Sequence, residues 1–196
     1  MKDEYGEKFH LRRIDRPYYN AIASSIAGVI GSIPNSLKKI DSVLDVGCSC
    51  GALLRCFSEV PVRCGIDFGI SADMFCKDAG KYYDCDFESG FLDTGMKFDL
   101  ISCLEMIEHI SSPASPNVLK TLDCNSDRGS ILIFSGAKPG QRGRHHVNCQ
   151  PSWYWIDRLH SIGFMHDAPL TNNFMSIAGC KMPECYRSNA IIFTKR

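Results

Sequence analysis

Residues 43–51 read Val43-Leu44-Asp45-Val46-Gly47-Cys48-Ser49-Cys50-Gly51, and this stretch decides the fold. An aliphatic run carrying one acid ends at a glycine, crosses three small residues and meets a second glycine. A run of this length closed by a glycine turn reads as a strand, Asp41–Val46, buried on both faces. Gly47 lets the chain bend sharply and lets the backbone approach a ligand. Outward from it, elements alternate. Helices are predicted at Pro17–Ile33, Ala52–Ser58, Ser71–Ala79 and Ser152–Ile162, and strands at Val62–Asp67, Lys81–Asp86, Phe98–Leu104, Ser130–Ser135 and Asn189–Thr194. Ile107–Ile110 turns toward a helix. Pro113 and Pro116 interrupt it, and it resumes over Asn117–Leu122. Strands alternating with helices imply a mostly parallel sheet covered on both faces, a three-layer α/β/α sandwich. Ligands of such sheets lie at the carboxyl ends of the strands. The loops after Val46, Ile66, Cys85, Cys103 and Ser135 should therefore carry the function.

The 196 residues suit one domain, with 44% apolar and 22% charged residues, as in ordinary globular chains. Lys+Arg and Asp+Glu are 22 each, so no global field draws the chain to nucleic acid or an anionic surface. The first residues are charged and lack a secretory apolar core, and Ala21–Ile33 is too broken by Gly and Ser to span a bilayer. Eleven scattered cysteines then favour reduced thiols in a cytoplasm, not a disulfide framework.

Chemistry-bearing residues recur at the expected strand ends. Asp45 is placed to pair with an ammonium group, and the helix opened by Gly51 would favour a carboxylate. Asp67 ends the second strand, where a carboxylate accepts the hydroxyls of a ribose diol. Asp86 could take an adenine amino group, with Phe87 packing on the ring, while Ser102–Leu104 pass beneath the ligand. Asp67 stands 20 residues beyond Gly47, a spacing that would also suit a dinucleotide. The acid before the first glycine and the Glu-x-x-Glu-His run after the fourth strand decide against it.

Val43–Gly51, Gly65–Asp67, Cys85–Phe87 and Phe98–Ile110 together resemble the successive cofactor motifs of class I S-adenosylmethionine-dependent methyltransferases. The likeness covers residues 41–135 and continues more weakly to the closing strand. It implies a seven-stranded, mostly parallel Rossmann-like sheet whose last strand, Asn189–Thr194, is antiparallel. It implies S-adenosylmethionine as cofactor, held by Asp45, Gly47, Cys48, Gly51, Asp67, Phe68, Asp86, Phe87, Cys103 and Leu104. One departure is Ser49, where the family's glycine loop usually has its middle glycine.

Methyl transfer from a sulfonium needs an aligned nucleophile and excluded water, and a hydroxyl acceptor gains from a base. The candidates are His109, His146 and Glu105, with Glu108 beside them. On a helix, Glu105, Glu108 and His109 would share one face. Ubiquinone-biosynthesis methyltransferases carry a similar run. So do small-RNA 2′-O-methyltransferases, where such residues and a later His bind a divalent metal. The expectation here is no metal, with His109 lining the acceptor pocket. Residues 1–33 would form an N-terminal helical segment or lid bearing Tyr5, Phe9, Tyr18 and Tyr19. Residues 136–196 would supply the acceptor-side loop, a helix and closing strands. Arg12, Arg13 and Arg16 read as a solvated basic face. The leading expectation is O- or N-methylation of a small-molecule or sugar-like acceptor. The alternatives are a metal-assisted RNA 2′-O-methyltransferase and an inactive binding subunit.

Overall fold

The computed structural model describes residues 12–14, 16–33, 39–71, 73–178 and 182–196. One sheet organises them. Its strands are β1 (Ser42–Val46), β2 (Val62–Asp67), β3 (Lys81–Asp84), β4 (Leu100–Leu104), β5 (Ile131–Ser135), β6 (Phe164–His166) and β7 (Ile191–Lys195), in the order β3-β2-β1-β4-β5-β7-β6. β1 lies parallel to β2 and β4, β2 to β3, and β4 to β5. β7 runs antiparallel to both β5 and β6. This is the expected seven-stranded Rossmann-like sheet with its last strand reversed.

Alternating side chains divide the core between the two faces of the sheet. One layer holds Val43, Leu100, Ile131, Ile133 and Ile192 under helices α1 (Tyr18–Gly31), α2 (Ala52–Arg55) and α5 (Ala168–Ala178). The other holds Leu44, Ile66, Ile101, Leu132, Phe134 and Phe193 under α3 (Ser115–Cys124) and α4 (Ser152–Ser161). Ile22, Ile26 and Val29 recur at helical spacing on α1 and are fully buried. Each such side chain stabilises by roughly 1.5–3 kcal/mol. A short α6 (Glu184–Ser188) leads into β7.

Several elements differ from the sequence reading. Among the described residues of 71–79 no helix forms: the Phe75 N–H reaches the Ser71 carbonyl, but the Cys76 N–H leaves the helical pattern for the Cys50 carbonyl. Phe75 then packs beside Gly51 and against the Tyr82 ring. The helix after the glycine loop stops at Arg55, and turns follow. Ile107–His109 is one 3₁₀ turn, while Pro116, read as a breaker, sits in the first turn of α3, where its missing N–H is harmless. The strand predicted to Asp86 ends at Asp84. β6, α5 and α6 were not foreseen. Tyr5 and Phe9 of the expected lid lie outside the described residues, and Tyr18 and Tyr19 belong to α1, packed on the sheet. Among the described residues, ten cysteines are unpaired thiols and no helix is long and apolar enough to cross a membrane.

Candidate active site

The parallel strands point their carboxyl ends to one edge, where β1 turns at Gly47. Gly47 has φ 85°, and a β-carbon there would meet the Met106 side chain at 2.4 Å. Only glycine satisfies both constraints. Ser49, where the family's middle glycine would stand, has φ 50°. A serine in that region is strained. Its N–H donates to Asp67 Oδ2 at 2.6 Å, and the Phe68 N–H donates to Asp67 Oδ1 at 2.7 Å. Asp67 thus braces the glycine loop from the tip of the neighbouring strand.

Asp45 is 5% exposed and accepts a hydrogen bond from Ser102 Oγ at 2.7 Å. Burial pushes its carboxyl up to about 7, against the lowering effect of the Ser102 bond. A cation in the crevice would restore its charge. Gly51 is left-handed at φ 79° and opens a helix of only 4 residues. The loop's own N–H groups, not a long helix dipole, are what a carboxylate would meet. Cys48 and Cys103 are buried in opposite core layers, and Leu104 is half-buried. Phe87 is a core residue at 4% exposure. Asp86 caps its own turn, accepting from the Glu88 N–H at 3.0 Å and Ser89 Oγ at 3.2 Å.

The acceptor-side candidates gather after β4. Glu105 follows the strand in a left-handed conformation, φ 49°, rare outside glycine. Its N–H is held by Ser135 Oγ at 3.0 Å and the Ser135 carbonyl at 3.2 Å. Glu105 therefore leaves the helical line, and the expected one-face array of Glu105, Glu108 and His109 does not form. Glu108, His109 and His146 come together instead, each offering one ligand atom, all within 4.8 Å of one another. The Glu108 carbonyl draws in the acceptor loop by accepting the N–H groups of Val147 at 2.9 Å and Asn148 at 3.1 Å. The His109 and His146 rings meet edge to face, centroids 5.1 Å apart.

Burial sets the electrostatics here. The His109 imidazole is pushed down to about 4, opposed by the bond from its Nδ1–H to the His145 carbonyl at 3.2 Å, so it is neutral near pH 7. His145 is itself left-handed at φ 56°, which turns that carbonyl toward the ring. Burial, then the nearby Glu105 charge, raise Glu108 to about 8. Its Oε2, Trp155 Nε1 and Asn148 Nδ2 are buried without hydrogen-bond partners among the described residues. Gly136 packs beside these groups, and a β-carbon there would meet Ile107 Cγ2 at 2.5 Å, closer than a side chain tolerates.

Residues 19–165 match a methyltransferase domain. The chain belongs to that family. It is a class I, S-adenosylmethionine-dependent methyltransferase domain. A ubiquinone biosynthesis O-methyltransferase of Vibrio campbellii is 31% identical over 121 residues, 58% of this chain and 48% of that protein. Its counterpart in Colwellia psychrerythraea is 29% identical over 101 residues, 47% of this chain and 40% of that protein. The chain thus spans less than half the length of these curated relatives. Among solved structures, the sugar N-methyltransferase KedS8 of Streptoalloteichus superposes with TM-score 0.69 at 15% identity, covering 95% of this chain and 91% of that one. The plantazolicin methyltransferase BpumL, solved with S-adenosylhomocysteine, gives 0.66 at 14% identity, covering 99% and 91%. At these identities the structures show a shared fold.

Residues that the sequence reading did not place at the site also lie on this edge. Arg13, read as part of a solvated face, is half-buried, and its charge helps lower both Glu108 and His109. Asn189 and Gln141 join Glu105 in one hydrogen-bonded group. Nothing local marks them: their partners stand 84 and 48 residues away in sequence from Asn189.

Proposed function

We propose that this methyltransferase domain moves the methyl group of S-adenosylmethionine to an oxygen or nitrogen of a small-molecule or sugar-like acceptor. The observation that carries the proposal is the neutral His109 imidazole, held by the His145 carbonyl, on the sheet edge where Asp45 and Asp67 flank the glycine bend. The residues fit the cofactor: a buried carboxyl raised to about 7 is suited to an ammonium, and a carboxylate at a strand tip is suited to a ribose diol. When bound, S-adenosylmethionine supplies a methyl group already activated on a sulfonium.

In this reading Asp45 pairs with the ammonium and the Gly47–Gly51 loop receives the carboxylate. Asp67 accepts the ribose hydroxyls. Cys48, Phe68, Cys103 and Leu104 support the middle of the crevice, and Asp86 and Phe87 its adenine end. His109 takes the proton of a hydroxyl or ammonium acceptor, and Glu105 and His146 orient it. The oxygen and nitrogen acceptors named for the ubiquinone O-methyltransferases and the sugar N-methyltransferase agree with this choice.

Calorimetry with S-adenosylhomocysteine tests the donor side. Release of that product in the presence of 3,4-dihydroxybenzoate or glucosamine tests the acceptor class. Absence of binding heat would leave only a scaffold of this fold.

A second reading draws on Glu108, His109 and His146, whose clustered ligand atoms and unpartnered Glu108 Oε2 suit a divalent cation. Such an ion would lower the pKa of an acceptor hydroxyl. Under the first reading EDTA leaves the rate unchanged. Loss of the rate with EDTA and its return with Mn²⁺ would select the second.

A further inference from the structure

A buried amide links the two halves of the acceptor side. Asn189 precedes β7 and is 2% exposed. Its Nδ2 donates to Glu105 Oε1 at 3.1 Å and to Gln141 Oε1 at 3.0 Å. The amide orientations follow from the partners. Gln141 Oε1 also accepts the Lys138 N–H at 2.6 Å, so that end of Gln141 is its oxygen. Asn189, facing that oxygen and a carboxylate, must then present its NH₂. Gln141 acts a second time through its backbone, since its carbonyl lies 3.3 Å from His146 Nδ1. A carbonyl can only accept, so this contact sets the proton on Nδ1 and makes Nε2 the acceptor nitrogen. The same Nε2 lies 3.9 Å from Glu108 Oε1. The Cys149 thiol stands 3.7 Å from Nδ1 and could donate to a bare nitrogen, but the carbonyl is nearer. Lys138 Nζ adds a second tie between loop and chain, donating to the Ser188 carbonyl at 2.7 Å.

We infer that Asn189 is a positioning residue that holds the Glu105 carboxylate and, through Gln141, fixes His146 as its Nδ1–H tautomer. The inference deepens the proposed function and rests on it for the acceptor-side duties of Glu105 and His146. Asn189 acts through Glu105 and Gln141. Its effect is to make the orientation of one acceptor-side group depend on that of the other.

The test uses the full chain with ¹⁵N-labelled histidine. Long-range ¹H–¹⁵N spectra at pH 8 assign the tautomer of His146, and calorimetry with S-adenosylhomocysteine and thermal melting accompany them. The wild type should show His146 protonated on Nδ1. Asn189→Ala and, separately, Gln141→Ala should convert it to a mixture with the Nε2–H form. Affinity for S-adenosylhomocysteine should stay within about twofold, as for substitutions remote from that ligand. Gln141→Glu keeps the accepting oxygen and should restore the single tautomer. If Asn189→Ala does not fold, Gln141→Ala and its rescue decide. An Nε2–H wild type, an unchanged tautomer in the variants, or parallel collapse of the tautomer and the affinity would each overturn the inference. A wild type that fails to bind S-adenosylhomocysteine yet shows the latched tautomer would refute the donor site and leave the latch standing.

Discussion

Replacing Asp45 with Asn should stabilise the unliganded protein and weaken cofactor binding at the same time. The side chain is 5% exposed, and burial lifts its carboxyl from an ordinary 3.8 to about 7. That interval corresponds to about 4 kcal/mol at 1.36 kcal/mol per pH unit, an upper figure for a single buried group. Below pH 3.8 the carboxyl is protonated in both the folded and unfolded chains. As the pH rises, the unfolded chain ionises first, so the folded state loses stability steadily until about pH 7 and then no further. Asn is nearly isosteric, is uncharged at every pH and can still accept the Ser102 hydroxyl proton. Urea unfolding should find Asp45→Asn more stable than the wild type by about 2–4 kcal/mol at pH 8, with the difference shrinking toward pH 4. Calorimetry with S-adenosylhomocysteine should show a loss of about 2–5 kcal/mol, because an ammonium is left opposite an uncharged amide. A variant destabilised at pH 8 would refute the burial reasoning. Unchanged affinity would refute the pairing with an ammonium.

Asp67→Ala should weaken S-adenosylhomocysteine binding by about 1–3 kcal/mol, because the Ser49 and Phe68 amides and the ribose hydroxyls would all be deprived of their acceptor; equal titration curves for variant and wild type would contradict this. His109→Ala should lower turnover on an accepted substrate far more than affinity for S-adenosylhomocysteine, and comparable losses in both would remove it from the acceptor side. Ser49→Gly should stabilise the chain by about 1 kcal/mol in urea unfolding, since glycine adopts φ 50° without strain; a destabilised variant would mean that the serine hydroxyl outweighs the backbone term.

The residues proposed for the donor side could be gathered from the sequence because they are local. Asp45, Gly47 and Gly51 share one turn, and Asp67 ends the strand registered beside it, Val46 pairing with Ile66. Strong two-sided burial made β1, β4 and β5 readable as apolar runs. β6 has only 3 residues and a mixed burial pattern, so no periodicity marks it. The helix expected at 71–79 had the right composition, but among the described residues the Cys76 N–H goes to the Cys50 carbonyl, a tertiary hydrogen bond that overrides local propensity. On the acceptor side, the spacing of Glu105, Glu108 and His109 was correct as sequence and misleading as geometry. The left-handed turn at Glu105 sends one carboxylate toward Asn189 and leaves the other beside His146. Arg13 looked solvated because charge runs usually are; its partial burial and the electrostatic influence of Tyr19, Tyr186, Tyr18 and Asp67 are products of the fold.

The reversed strand β7 lies between β5 and β6, although β6 precedes it in the chain. During synthesis on the ribosome, β5 therefore has one open flank, and β6 lacks its partner in the sheet, until β7 is made. Their exposed N–H and C=O groups invite association with other nascent chains until β7 slots between them. The same insertion delivers Asn189 to Glu105. One docking event thus covers the open flank of β5 and brings Asn189 to the Glu105 carboxylate, while β6 remains the outer strand of the sheet.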